Sequence, residues 1–327
     1  MNAKPSKSLL NRSSLTIHLL TKNNAKTIKK AIQSILPCNH NITIADLGST
    51  DGTVDACRSM GFSPIITSET NRSSIRNRLT DKSDTEWNFY LEPWEAVLQG
   101  YDFLKSVTTN AYISVVQNDT ITKEVRFWKK GQKFDNPIFE KLDCRTNEES
   151  GVIVYSSGRS DYKDVLSSIE LWKKSKPTQA APYYYQALVL MAMGNYDEFL
   201  RCSEHYMHMA TGESNMATTM NHYYYAMATI LHKKSIRPAL QNLTLCLRQR
   251  PLMAEFWCLT GDVYYHLTKN FDFAKEFYEN AMILGSHRLS TDKWPMQISR
   301  YSEYPKRMIE SCNAIIEKSD TFQNVSR

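Results

Sequence analysis

The chain has 327 residues, 42% of them hydrophobic, with 40 basic and 34 acidic side chains and a formal net charge of +6. That length suits one or two domains with ordinary cores. The charge is spread evenly, with 20 basic and 17 acidic residues in 1–150 and the same in 151–327, so neither half is a basic arm and no nucleic-acid partner is expected.

Residues 1–14 are polar and read as an arm. Leu15 to Leu20 is an apolar run that suits a parallel strand buried on both faces, with Thr21 and Asn23 at its carboxyl end. Ala25 to Leu36 reads as a helix, because Ile28, Ala31, Ile32 and Ile35 recur at i, i+3, i+4 and i+7 and Pro37 ends it. Ile42 to Ala45 is the second strand. It runs into Asp46-Leu47-Gly48-Ser49-Thr50-Asp51-Gly52-Thr53, a carboxylate at a strand's end followed by a glycine-containing turn and a second helix, Val54 to Met60. Open α/β sheets bind ligands at that edge. Asp51 is a good N-cap and Asp55 adds charge in the first turn. Taken alone, the stretch is equally an ordinary strand-turn-helix corner.

Ser63 to Thr67 reads as a third strand, and Asn71 to Leu79 as a helix carrying Ile75-Arg76-Asn77. Trp87 to Leu91 is a strand ending at Glu92-Pro93-Trp94-Glu95. Glu92 precedes proline and should be extended. Pro93 suits a first helical position and Glu95 can reach back to an N-cap amide, so a helix to about Leu104 is expected. Tyr112 to Val116 and Val125 to Trp128 read as strands, followed by a turn at Lys129 to Gln132 and a segment, Phe134 to Leu142, that carries Asp135 and Glu140.

Past Gly151 the composition turns to Tyr, Met, Leu and Ala, and a repeat emerges. Tyr223 and Trp257 lie 34 apart (257 − 223), and Trp257, Gly261, Tyr264, Ala274, Tyr278 and Ala281 follow the tetratricopeptide pattern. A helix at 162–174, helix pairs at 180–209, 217–249 and 254–284, and a capping helix at about 306–318 are expected. Such pairs bury their apolar faces only by stacking on neighbours. Most of the tyrosines there read as core.

Seven cysteines, an odd number with no C-x-x-C, suit reduced thiols and a cytoplasmic location. The start shows no apolar leader core, and no stretch reaches the ~18 apolar residues of a membrane span, so no transmembrane segment is expected.

The first half also resembles a family. Leu15 to Asn24, the helix with Ile28, Ile32 and Ile35, and Asp46 to Thr53 are similar to the opening of a family-2 glycosyltransferase, and the match runs to about Leu142. The resemblance implies a Rossmann-like GT-A nucleotide-sugar domain over 15–150, followed by the helical repeat domain over 158–327, an α/β plus all-α chain. It implies a nucleotide-diphosphate sugar lined by Thr21, Asn23, Asp46, Ser49, Asp51, Arg76 and Glu92. In relatives the strand after the Arg76 helix ends in an aspartate-rich sequence that binds ribose and a divalent ion. Here Glu92 replaces the first aspartate, Trp94 replaces the second, and Glu95 keeps its place, so the resemblance assigns Mn²⁺ or Mg²⁺ to Glu92 and Glu95. The helix-cap reading of these two glutamates stands beside it. Where relatives carry a histidine, this chain has Phe139, and the general base falls to Glu140 or Asp135. The implied function is transfer of a sugar, hexosyltransferase type, to a peptide or protein acceptor held by the repeats. The alternative is a non-catalytic nucleotide-sugar-binding or scaffold protein with a degenerate metal motif, acting through its repeats, which could equally serve homo-oligomer formation.

Overall fold

The computed structural model describes residues 15–142, 144, 146–159 and 161–325; the polar arm at 1–14 lies outside the described residues. The chain divides into two compact units, one of residues up to 118 together with 123–160, the other of 119–122 together with 161 onward.

The first unit is built on a mixed sheet. Its elements in order are β1 (Leu15–Thr21), α1 (Ile28–Ile35), β2 (Asn41–Asp46), α2 (Thr53–Arg58), β3 (Ile65–Ile66), α3 (Arg72–Lys82), β4 (Trp87–Tyr90), β5 (Glu95–Gln99), α4 (Tyr101–Lys105), β6 (Ala111–Gln117), β7 (Thr120–Lys129), β8 (Phe134–Asp135), β9 (Lys141–Leu142) and β10 (Glu149–Ser156). The strand order is β3-β2-β1-β4-β7-β6-β10-β5. β3, β2, β1 and β4 are mutually parallel, β7 is antiparallel to β4, β6 and β10 are parallel, and β5 closes the edge antiparallel to β10. Every residue of β1 is buried, the polar Thr16, His18 and Thr21 included, as in a parallel strand covered on both faces. α1 buries Ile28, Ala31, Ile32 and Ile35 against Leu15, Ile17, Leu19 and Phe89.

Two expectations fail here. The helix expected from Pro93 to Leu104 is the strand β5 followed by the single turn α4. Glu95 does reach back, its Oε2 accepting the Glu92 N–H at 2.9 Å, but within a tight turn that the Glu95 N–H closes onto the Glu92 carbonyl at 3.0 Å. The strand wins because Ala96 and Val97 are buried against β10, whereas Gly100, at φ +88°, ends the segment where a helix would continue. The break in character at Gly151 is likewise no boundary. β10 runs through it to Ser156 with alternate residues buried, one-sided patterning that a strand satisfies and a helix does not.

A polar face is buried in this sheet. His18 on β1 is 1% exposed, and its Nε2 sits 2.8 Å from Asn88 Oδ1. Burial holds its pKa down to about 4, against a hydrogen bond to Asn88 Oδ1 that raises it and alongside the Arg76 charge that lowers it further. The folded state therefore keeps His18 neutral where the unfolded chain would bind a proton. Stability is full above the ordinary value of 6.5 and falls as pH drops towards about 4. By that linkage this group alone should remove about 2 kcal/mol by pH 5. Urea melts of wild type and His18→Gln between pH 7 and pH 4.5 check it: the variant should lose less stability over that interval, and parallel losses would contradict the assignment.

The second unit holds α5 (Tyr162–Ser175), α6 (Ala181–Ala192), α7 (Tyr196–Met209), α8 (Met216–Ala228), α9 (Ile236–Gln249), α10 (Ala254–Asp262), α11 (Phe271–Gly285), β11 (Met296–Gln297) and α12 (Glu303–Val325). α8 and α10 each end in a wider π turn, Thr229–Lys233 and Val263–Thr268. The expected pairs α6/α7, α8/α9 and α10/α11 are present as a tetratricopeptide-like stack. Tyr223, Ala239, Leu243, Cys246 and Phe256 fill one shared core, and Ala274, Tyr278 and Ala281 another. Gly261 is required, because a Cβ there would lie 2.7 Å from the Tyr278 ring.

After α11 the chain returns across α10. Glu255 accepts from the Gln297 N–H at 2.7 Å and from the Tyr301 hydroxyl at 2.6 Å. Asp262, two turns on, accepts from Tyr278, Tyr304 and Arg300 at 2.8, 2.5 and 3.1 Å. Residues 119–122 complete this unit. β11 pairs antiparallel with them, Met296 opposite Ile121 and Gln297 opposite Thr120. The Asp119 carbonyl accepts the Ile298 N–H at 2.8 Å, and its carboxylate accepts the Ser299 N–H at 3.0 Å and the Ser299 hydroxyl. Among the described residues no helix is long and apolar enough to cross a membrane.

Candidate functional site

In the first unit, β1 has β2 on one side and β4 on the other. The connections leaving the carboxyl ends of β1 and β4 therefore diverge, a topology at whose strand ends parallel sheets commonly place ligands. The residues singled out from the sequence fall around it in two groups.

The first group stitches two loops together. Asp46, 1% exposed, turns its carboxylate onto its own loop: Oδ1 accepts the N–H of Gly48 at 3.1 Å and of Ser49 at 2.8 Å, and Oδ2 accepts the Ser49 hydroxyl at 2.5 Å. Ser49 Oγ accepts the Asn23 N–H at 2.8 Å, and Asn23 Oδ1 accepts the Thr50 N–H at 2.8 Å. Asn23 holds φ +55°, which its short polar side chain tolerates. Thr21 Oγ1 donates to Asn24 Oδ1 at 3.0 Å. The N-cap of α2 is Gly52 rather than the expected Asp51; Asp51 stands one residue earlier, its Oδ1 accepting the Thr53 N–H at 2.9 Å and its Oδ2 the Ala25 N–H at 3.1 Å. Desolvation pushes the Asp51 carboxyl up, but the hydrogen bonds it accepts from Thr53 and Ala25 together outweigh it and hold the group below its ordinary value. Sequence reasoning thus found a real cluster, and its polar groups mainly fix one loop to the other.

The second group is a buried ion network. α3 starts where Asn71 caps the Ser74 N–H at 3.0 Å, and it carries Arg72 and Arg76 one turn apart on one face. Arg72 Nη2 donates to both oxygens of Glu92 at 2.8 Å, and its Nε donates to Glu140 Oε1 at 2.8 Å. Arg76 Nη2 donates to Glu92 Oε1 at 2.5 Å, and its Nε donates to the same Glu140 oxygen at 2.8 Å. Burial pushes the Glu140 carboxyl up, but Arg72 and Arg76 outweigh it and hold the group well below the usual carboxylate range. Glu92 is lowered for the same reasons. Arg76 itself is 1% exposed, so it does not open onto a nucleotide as the resemblance implied.

Beside this quartet, Arg126 binds Glu95 in a two-pronged pair, Nη1 to Oε2 at 2.7 Å and Nη2 to Oε1 at 2.9 Å. The Tyr90 ring lies between Arg76 and Arg126, whose guanidinium carbons stand 4.0 and 4.2 Å from its centroid. Burial opposes the charge on Arg126, yet Glu124 and Glu95 raise its pKa. Asp135, the other candidate base, lies apart on β8, exposed, its Oδ1 accepting the Asn136 N–H at 2.8 Å.

Glu92 and Glu95 do not fit a divalent cation. A hard cation needs carboxylate oxygens, and every oxygen of these two already accepts from a guanidinium or a backbone N–H. Three positive side chains would face the ion. Among the described residues no three His, Cys, Asp or Glu side chains converge to hold a metal. Sequence reasoning missed Arg72 and Arg126. The i, i+4 spacing of Arg72 and Arg76 was a readable signal; nothing local pointed to Arg126.

No family model matches the chain, and no curated protein matches it. Among solved structures it is similar to MamA 41-end from Desulfovibrio magneticus RS-1, at 15% identity over 51% of this chain and 88% of that one, TM-score 0.36. It is similar to the Sgt2 TPR domain from Aspergillus fumigatus, at 15% identity over 43% and 82%, TM-score 0.34. It is also similar to the first TPR of Spaghetti (RPAP3) bound to an HSP90 peptide, at 16% identity over 42% and 93%, TM-score 0.33.

Proposed function

We propose that the first unit binds a nucleotide-diphosphate sugar at the carboxyl ends of β1 and β4 and transfers the sugar to an acceptor. The observation that carries this reading is the strand order β2-β1-β4, which sets Thr21, Asn23 and the Asp46 loop against the Glu92 turn at a topological switch point. The family-2 resemblance runs through the same residues. Asp46, sealed like Arg76, acts by holding its loop in shape, and Ser49 with the exposed Asn23 lines the nucleotide side. Asp135 is the better candidate for the base that takes the acceptor's proton, because two guanidiniums already claim Glu140 and leave it a weak base. The acceptor is a peptide or protein held by the helical stack, the use to which extended repeat surfaces lend themselves.

The second reading, a binding protein without turnover, is favoured by the Glu140 pairing. A screen of nucleotide sugars, scored for both binding and hydrolysis, separates the two. We expect one donor to bind and be slowly hydrolysed, and Asp46→Ala to weaken its binding by about tenfold or more while the melting of the helical unit stays unchanged. Binding without hydrolysis would establish the second reading. Equal affinity in wild type and variant would remove Asp46 from the site, and no binding across the panel would overturn both readings.

A further inference from the structure

The connection from α11 to α12 is out of scale with the others in the stack. Residues 176–180, 210–215 and 250–253 lead into the three helix pairs in five, six and four residues, whereas 286–302 takes seventeen (302 − 286 + 1). Ordered connections of that length are uncommon in compact units and are typically functional. This one lies along the face of α10 that the helices leave over. Trp257 and Tyr264 turn to α11, their rings 5.9 and 5.2 Å from Phe277. Phe256 and Val263 enter the core shared with α8 and α9. Glu255 and Asp262, seven positions apart and so in line, point away from Trp257 and Tyr264. In stacked helix pairs that face belongs to the groove.

On α8 the same two positions are apolar. Ala226 and Gly261 lie 35 apart (261 − 226), as do Ala239 and Ala274 (274 − 239), which matches Met220 to Glu255 and Met227 to Asp262. The stack therefore does not require acids there. Glu255 and Asp262 are nonetheless 4% and 8% exposed, and a buried carboxylate is costly without partners. Their partners come mostly from the long connection, which contacts the groove as an extended peptide would. Trp294 packs on the core of α8, α9 and α10, with the Arg250 guanidinium carbon 4.7 Å from its ring centroid. The Gln297 N–H and the Tyr301 hydroxyl donate to Glu255 at 2.7 and 2.6 Å. Arg300 donates to Asp262 at 3.1 Å, its guanidinium carbon 3.8 Å from the Tyr304 ring centroid. The other edge of the segment is β11, paired with residues 119–122. Backbone pairing along one edge and seated side chains along the other are how an added strand is recognised. The match is incomplete: Tyr223, 4% exposed beside Arg300 and Glu255, has a hydroxyl with no hydrogen-bond partner among the described residues.

We infer that the groove across α8 and α10 is a site for an extended peptide presenting an arginine and a tyrosine, and that residues 294–301 are its resident occupant, which a partner segment of the same chemistry displaces. This rests on the reading above only in that the helical stack holds a peptide, and it does not depend on sugar transfer.

Fluorescence anisotropy of a labelled synthetic peptide of residues 291–302, titrated with the full chain, tests it. The resident segment competes at the high effective concentration of a tethered ligand, so the wild type should bind the peptide weakly. A full-length variant carrying Trp294→Ala and Arg300→Ala, whose own segment is loosened, should bind it about tenfold or more tightly. The gain should vanish when the peptide itself carries Arg300→Ala, and when Asp262→Asn is added to the variant. If that variant does not fold, hydrogen exchange in the wild type reads the same displacement: saturating peptide should speed exchange at the chain's own Gln297, Ile298 and Ser299 amides while α10 stays protected. A peptide that binds neither folded protein, binds both equally, or binds as well without its arginine would overturn the inference, as would unchanged exchange at those three amides. A chain that binds a nucleotide sugar but not this peptide keeps the donor reading and loses this one; a chain that binds the peptide but no nucleotide sugar does the reverse.

Discussion

Replacing Arg76 with alanine should cost the sheet unit about 3–5 kcal/mol, the range for breaking a buried ion pair from one side. The guanidinium is 1% exposed and serves two carboxylates at once, at 2.5 and 2.8 Å. Its loss leaves Glu92 and Glu140 sharing Arg72 alone and takes the cation from one face of Tyr90. The pH dependence distinguishes this from simple loss of packing. In the wild type, Glu140 is held below its ordinary value of 4.5, so its contribution is full above that value and is lost as pH falls through the folded value. The variant has less of that contribution to lose, so the gap between the two proteins should narrow in acid. Urea melts at pH 7 and pH 4 read both effects, and a deficit below about 1 kcal/mol at pH 7 would mean the quartet is held by its surroundings.

Such networks are invisible along a chain. Arg72 lies 20 positions from Glu92 and 68 from Glu140, and only tertiary packing brings α3, the β4 turn and the separate β8–β9 pair together. What could be read was local chemistry. β1 declared itself by its mainly apolar run, α1 by its four isoleucine and alanine positions, and the Asp46 to Thr53 turn by residues that bond to their own backbone. The repeats were legible for the same reason, since each helix pair uses short-range spacing. Glu92-Pro93-Trp94-Glu95 misled because proline and a following acid look alike at a helix start and in a tight turn. The partner strand β10 decides between them, and it lies more than fifty positions away.

Gly100→Ala should be nearly as damaging as the loss of Arg76, at about 4 kcal/mol, combining the left-handed penalty with overpacking. The residue sits at φ +88°, and an added Cβ would lie 2.5 Å from Val152 Cα and 2.8 Å from Gly151 O. These are backbone atoms of the neighbouring strand, which cannot turn aside as a flexible side chain would. The predicted response is local: β5 lifts from β10 and exposes Ala96 and Val97. Hydrogen exchange should therefore speed at Glu95–Gln99 before it speeds in β1. Uniform change across the sheet, or a melting point within about 2 °C of wild type, would contradict it.

The pairing of residues 119–122 with Met296 to Ser299 fixes an order of events during synthesis. The Ser299 amide that bonds to Asp119 lies 180 positions further along. At ribosomal rates of about 5–20 residues per second, the start of β7 emerges about 10–40 s before its partner exists. For that interval its unpaired amides are an open strand edge, available to any extended chain nearby. Translation speed through the helical repeats therefore sets how long each newborn molecule is exposed to mispairing.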